Sequence, residues 1–146
     1  SGITDGAAAM LVMSLDKANA LGLEPLAHVG FMSEAGVDPK IMGIGPVPAV
    51  RDIQAQSGLG VDDYDLIELN EAFAAQVIAC DRELSLPMDR VNVNGGAISL
   101  GHPIGATGAR IAVTLMHEMA RRDAKTGIAT LCVSGGMGIA TTFHRP

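Results

Sequence analysis

The sequence predicts an α/β fold, with a mixed five-stranded sheet covered by helices on both faces. Short apolar runs alternate with stretches of helical periodicity, which is typical of strands joined by crossover helices. The chain ends in two strand-like runs around a Ser-Gly-Gly turn, and this hairpin makes the sheet mixed. Because Gly (18 of 146 residues) and Ala are abundant and aromatic residues are scarce, these elements can pack closely.

Each element is predicted from its own local pattern. Apolar runs bounded by turn residues predict strands at 5–14, 26–36 and 64–70, and two more within 127–143. Periodicity near 3.6 predicts helices at 15–23, 48–58, 70–84 and 104–122.

The periodicity also predicts which helix faces meet the core. In the helix at 70–84, apolar residues recur at i, i+4, i+7 and i+11, namely Phe73, Val77, Cys80 and Leu84. In the helix at 104–122, the pattern places Gly108 and Ile111 inward and His117 and Glu118 outward.

Composition excludes several functional classes. The net charge is −6, from 10 Lys and Arg against 16 Asp and Glu, which argues against a nucleic-acid partner. No apolar run predicts a membrane span or a signal peptide, and we expect a cytoplasmic protein. Its two cysteines are expected to be free thiols, and no His or Cys set has metal-ligand spacing.

Residues 94–111, "NGGAISLGHPIGATGARI", surround a single His with five glycines and a proline. Gly101, Pro103 and Gly105 would fix an unusual backbone around His102 and bring no packing benefit. A functional loop is the better interpretation of such a segment. We therefore take His102 as a candidate general base.

Two further candidates should lie at the same edge of the sheet. Asn70 follows the strand at 64–70, and Cys132 ends the next-to-last strand, so both lie where ligands bind in α/β sheets. With His102, they offer an oxyanion donor and an acid/base or nucleophilic thiol. Asn70 is equally suited to cap the following helix, and Cys132 to serve as a small buried strand residue.

Three motifs together resemble the C-terminal signatures of the thiolases. They are "NEAFA" from Asn70, "NVNGGAISLGHPIGATGARI" from Asn92 and "CVSGGMG" from Cys132, and the segment "GVDPKIMGIGP" also matches. The resemblance covers the whole chain. It implies the C-terminal half of a thiolase-like fold and acyl transfer to CoA, by thiolytic cleavage of a 3-ketoacyl-CoA or the reverse Claisen condensation.

The resemblance also implies roles for individual residues. His102 would deprotonate a nucleophilic cysteine and donate to an oxyanion hole, and Asn70 would hold the water that completes this hole. Cys132 would exchange a proton with the substrate α-carbon, and the Ser134 N–H would serve a second oxyanion hole, although thiolases commonly have Gly there. Residues for CoA and the acyl group would be Ser1, Gly2, Met42, Ala72 and Phe73.

The nucleophilic cysteine of thiolases has no counterpart among these residues. We therefore expect residues 1–25 to be a remnant of the N-terminal half and residues 26–146 to be the C-terminal domain. The expected partners are acyl-CoA, the N-terminal half and further copies in a homo-oligomer, without a metal or a covalently bound cofactor. An alternative is a non-catalytic thiolase-like CoA-binding or assembly module. A ketosynthase is disfavoured because that family has His at the place of Cys132.

Overall fold

The computed structural model describes residues 1–146 and contains one mixed sheet of four strands in the order β1-β4-β3-β2. The strands are β1 (His28–Gly36), β2 (Leu66–Leu69), β3 (Thr126–Val133) and β4 (Met137–His144). β4 pairs antiparallel with β1 and β3, whereas β2 pairs parallel with β3. The predicted fold class and the C-terminal hairpin are confirmed, but the prediction of five strands is wrong.

The predicted strand at 5–14 is the one that does not form. This segment has no regular secondary structure, and it leaves Leu11 81% exposed. A strand needs a neighbour to satisfy its backbone donors and acceptors, and no strand lies beside this segment. Its continuous run of small and apolar residues therefore marks a surface that these 146 residues do not cover.

The α-helices are α1 (Leu15–Ala20), α2 (Pro46–Ser57), α3 (Ala74–Leu84), α4 (Ala97–Leu100) and α5 (Thr107–Arg122). Short 3-10 helices occupy Pro39–Ile44, Val61–Asp63 and Met88–Arg90. None of the helices is long and apolar enough to cross a lipid bilayer.

The two faces of the sheet are covered by different helices, as predicted. α2 packs on β1 and β4, while α5 packs on β2 and β3. Neighbouring residues of β2 show the alternation, because Leu66 joins the α5 core cluster and Ile67 joins the cluster with α2 and α3. Val50 and Ile53 of α2 are buried, as their spacing predicts.

Three helix-face predictions are wrong. Phe73 precedes α3 in extended backbone and is 48% exposed, because the helix begins only at Ala74. Gly108 is exposed, since α5 begins at Thr107 and not at Ile104. Glu118 is buried because Asn94, Arg121 and Arg122 all donate hydrogen bonds to its carboxylate.

Candidate functional site

Parallel pairing of β2 with β3 brings two predicted site residues to one edge of the sheet. Leu69 pairs with Thr130, and the Asn70 N–H donates to the Thr130 carbonyl at 2.9 Å. Cys132 lies two residues further along β3. Asn70 and Cys132 therefore both lie at the carboxyl ends of these strands, which is where ligands bind in α/β sheets.

Asn70 contacts His102 and does not cap a helix. Its side-chain Nδ2 lies 3.5 Å from His102 Nε2, and the residue is only 1% exposed. Because α3 begins at Ala74 after Phe73, the alternative interpretation of Asn70 as its N-cap is wrong. Asn70 Oδ1 is buried and has no hydrogen-bond partner.

The glycine before His102 lets the N-terminal segment pack against the loop. Gly101 has φ +97°, and a Cβ at this position would collide with the Thr4 side chain. The His102 N–H donates to Thr4 Oγ1 at 3.3 Å. The glycine-rich loop is thus held by a residue almost a hundred positions earlier.

The His102 ring is held on both sides and is neutral near pH 7. Its Nδ1 lies 2.7 Å from Thr107 Oγ1, opposite the contact of Nε2 with Asn70. Burial lowers the pKa of His102, and the nearby charge of Arg110 lowers it further. A neutral imidazole is the form that can accept a proton.

Glu71 links the Asn70 loop to the His102 loop, a role that sequence reasoning missed. One carboxylate oxygen accepts a hydrogen bond from Asn92 Nδ2 and the other from the Ile98 N–H, each at 3.0 Å. The carboxylate lies where a Cβ of residue 96 would be, so Gly96 is needed for this contact. An acidic residue after Asn70 and a Gly-Gly pair were visible in the sequence, but nothing there indicated that they meet.

Below the His102 loop lies a buried ion pair, which was also not predicted. Arg110 and Glu68 approach to 3.8 Å, and Glu68 is only 3% exposed. Burial raises the pKa of Glu68 to about 7 despite the opposing effect of Arg110. No group of three or more His, Cys, Asp or Glu side chains is placed to hold a metal ion.

A cleft of about 300 Å³ opens in front of His102. It contains three of the predicted substrate residues, Ser1, Gly2 and Ala72, and the Ser1 hydroxyl donates to the Ala72 carbonyl. The structure does not bring Met42 or Phe73 into this cleft. Met42 is half-buried in the 3-10 helix Pro39–Ile44, and Phe73 points largely into solvent.

Cys132 is buried near the end of β3, outside the cleft lining. Burial raises the pKa of its thiol, so the thiol is protonated near pH 7. In the turn that follows, Gly135 and Gly136 both have φ +89°, whereas Ser134 is not in the left-handed region. Ser134 therefore keeps its backbone N–H without strain from its Cβ.

Comparisons with known proteins agree with the motifs. Residues 23–145 match the family model described as thiolase, C-terminal domain. The chain is 58% identical over 146 residues to the acetyl-CoA acetyltransferase of Chromobacterium violaceum, and it spans 37% of that protein. The curated relatives that it matches are thus almost three times as long.

Solved structures give the same result. A crystal structure of the Bacillus anthracis acetyl-CoA acetyltransferase matches with a TM-score of 0.88 and 55% identity, over 90% of this chain and 34% of that one. Human mitochondrial 3-ketoacyl-CoA thiolase in complex with CoA matches with a TM-score of 0.88 and 45% identity, over 91% of this chain and 34% of that one.

Proposed function

Because the chain belongs to the thiolase family through its C-terminal domain, we propose that it supplies the acid-base groups of a thiolase active site. The reaction is thiolytic cleavage of a 3-ketoacyl-CoA or the reverse condensation of acyl-CoAs. The observation that carries this proposal is the contact of Asn70 with a neutral His102, whose imidazole opens on the cleft.

His102 is proposed to accept the proton of a nucleophilic cysteine and then to donate to the thioester oxygen. Its lowered pKa supports the first step, because an imidazole already protonated near pH 7 could not act as the base. Once protonated, the same ring can stabilise negative charge that develops on the substrate oxygen.

Asn70 is proposed to hold a water molecule that completes this oxyanion hole. Its buried Oδ1 has no partner in the protein, and a buried amide oxygen in that state is a suitable acceptor for an ordered water. A water held there could direct its other O–H toward the substrate oxygen.

Cys132 is proposed to exchange a proton with the α-carbon of the substrate. In thiolysis, the leaving carbanion takes the proton of the thiol, which the raised pKa keeps in place near pH 7. In condensation, the thiol first gives its proton to the CoA thiolate that leaves when the acyl-enzyme forms, and the resulting Cys132 thiolate then removes a proton from the acetyl group. The Ser134 N–H would stabilise the enolate oxygen.

The nucleophile must then come from chain outside these 146 residues. Cys80 is fully buried, and its thiol lies 3.5 Å from the Gly43 carbonyl, so it does not reach the cleft. Cys132 already has the other role. The exposed apolar residues around Leu11 offer a surface on which the amino-terminal part of a thiolase, and further copies of the subunit, would pack.

For CoA itself, we propose that the pantetheine arm enters the cleft beside Ser1, Gly2 and Ala72, which lie together in front of His102. The CoA complex of the human mitochondrial 3-ketoacyl-CoA thiolase supports CoA as the ligand. Met42 and Phe73 would approach the acyl group only if the amino-terminal part encloses that side of the site.

The test is thiolysis of acetoacetyl-CoA by two proteins. One is the chain alone, and the other is the chain fused to the amino-terminal remainder of the Chromobacterium violaceum relative. We expect no turnover by the chain and turnover by the fusion that falls at least about 100-fold in His102→Ala and Cys132→Ala. Turnover by the chain alone, lost in Cys132→Ala, would contradict the proposal. A fusion that binds CoA without turnover would favour the non-catalytic module.

A further inference from the structure

We infer that Thr107 is a positioning residue of this site: its hydroxyl holds the ring proton of His102 on Nδ1 and leaves Nε2 as the free base facing Asn70. The importance of this tautomer for catalysis rests on the proposed function. The assignment of the tautomer itself rests on the contacts of the His102 ring.

Thr107 is fully buried at the first turn of α5, and its hydroxyl has two close partners. Oγ1 lies 3.0 Å from the Pro103 carbonyl oxygen and 2.7 Å from His102 Nδ1. A hydroxyl has one proton, and a carbonyl oxygen can only accept. The Thr107 hydroxyl therefore donates to Pro103, and its oxygen is left to accept from Nδ1–H.

The opposite arrangement would be unfavourable. If the hydroxyl proton pointed at Nδ1, the oxygens of Thr107 and Pro103 would face each other at 3.0 Å without a proton between them. The lone pairs of two oxygens at that distance repel each other, even though the Pro103 carbonyl still accepts hydrogen bonds from the N–H groups of Ala106 and Thr107. This contact therefore selects the Nδ1–H tautomer of His102.

The other side of the ring agrees with this tautomer. Nε2 lies 3.5 Å from Asn70 Nδ2, an amide nitrogen that can only donate, so a lone pair on Nε2 suits it. The lowered pKa of His102 means that a second ring proton is absent near pH 7. The free lone pair is then on the nitrogen that faces Asn70.

Local structure explains why a threonine is suited to this task. A hydroxyl at the start of a helix can reach the carbonyl four residues earlier, and Thr107 does so with Pro103. This bond fixes the side-chain rotamer, and the rotamer places Oγ1 under the imidazole five residues back in the chain. Valine has the same shape as threonine but no hydroxyl, which gives a clean substitution.

The test measures the tautomer of His102 by nitrogen NMR of the chain with ¹⁵N-labelled histidine, above the pH at which the ring titrates. His102→Gln assigns the signals. We expect the Nδ1–H form in the parent chain and in Thr107→Ser, and a shift toward Nε2–H in Thr107→Val. Thr114→Val, on the same helix α5, is the matched control and should leave the tautomer unchanged.

The parent chain alone can overturn the inference, by showing His102 in the Nε2–H form, even if Thr107→Val fails to fold. A folded Thr107→Val that keeps the parent tautomer would overturn it as well. In the active fusion, Thr107→Val should lower kcat about 100-fold with little change in KM, and Thr107→Ser should restore it. An inactive fusion with the expected tautomers would refute the proposed function and leave the inference standing.

Discussion

The His102 loop and the Cys132 hairpin lie at the same edge of the sheet, but they are held there by different means. The His102 loop is held by side chains, since Thr4 and Glu71 bind it from other parts of the sequence and Thr107 binds the His102 ring from within the same segment. The hairpin is held by its backbone, because Cys132 pairs with Gly138 across the strands.

Glycine allows the hairpin to come this close to the rest of the fold. Gly138 lies against the backbone of Gly45, which precedes α2, so closely that a Cβ on either residue would overlap the other segment. The two proposed proton-transfer groups are therefore sensitive to different changes. Removing a polar atom should disturb His102 most, whereas adding a carbon at the hairpin should disturb Cys132 most, because the atoms that it would meet there belong to the backbone.

The largest effect is expected at the hairpin. Gly138→Ala would place its Cβ against the carbonyl of Gly45, where backbone atoms cannot move away cheaply, so the free energy of unfolding should fall by about 3 kcal/mol. Urea unfolding followed by circular dichroism measures this. Gly108→Ala is the matched control, because its Cβ meets nothing within 4 Å and the helix should gain up to about 1 kcal/mol. Equal stability of the two variants would refute backbone contact as the hairpin's constraint.

A smaller loss is expected when a polar link of the His102 loop is removed. Glu71→Ala deletes the acceptors of Asn92 Nδ2 and of the Ile98 N–H, so unfolding should become easier by about 2 kcal/mol. Hydrogen exchange of the Ile98 amide should accelerate in this variant, while exchange in the hairpin at 132–138 should not change. Faster exchange in both regions would show that the two are not held independently.

The third effect is a pH dependence specific to the His102 side, and it is the smallest when expressed per pH unit. Because the pKa of Glu68 is raised from 4.5 to about 7 in the fold, the folded chain binds a proton there that the unfolded chain has released. This contribution to stability is complete below pH 4.5 and is lost as the pH rises through about 7.

Glu68→Gln removes that contribution, so the stability difference between parent and variant should change with pH. Between pH 5 and 8, the free energy of unfolding of the parent should fall relative to that of the variant, by roughly 1 kcal/mol per pH unit at most. The lowered pKa of His102 acts in the opposite sense, favouring the fold as the pH rises through the His102 range, but it is common to both proteins. A difference that stays constant over this range would mean that Glu68 is ionised throughout.

Sequence reasoning predicted the parts of the fold that depend on local periodicity. The C-terminal hairpin, the buried face of α2 and the meeting of Asn70 with His102 followed from strand order and turn residues. The prediction of a strand at 5–14 was wrong because an apolar run indicates that a segment tends to be buried, but it does not identify the strand or helix that would bury it. The prediction for Phe73 was wrong because the apolar spacing includes Phe73, whereas the helix begins one residue later, at Ala74.

Polar contacts between residues far apart in the sequence could not be predicted, and the reason is physical. The partners of Glu71, and Asn94 among the partners of Glu118, are more than twenty residues away in sequence, and no spacing rule relates a carboxylate to donors at such separations. The contact of Thr107 with His102 lies within one loop, yet it depends on a rotamer that only the folded turn defines.

The most direct test of the central claim is to locate the acyl group in the fusion after brief incubation with acetyl-CoA, by mass spectrometry of its peptides. An acyl-enzyme intermediate marks the nucleophile of the reaction. We expect the acetyl group on a cysteine outside these 146 residues, with Cys80 and Cys132 unmodified. Acetylation of Cys132, whether in the fusion or in the chain alone, would contradict the assignment of Cys132 to proton transfer.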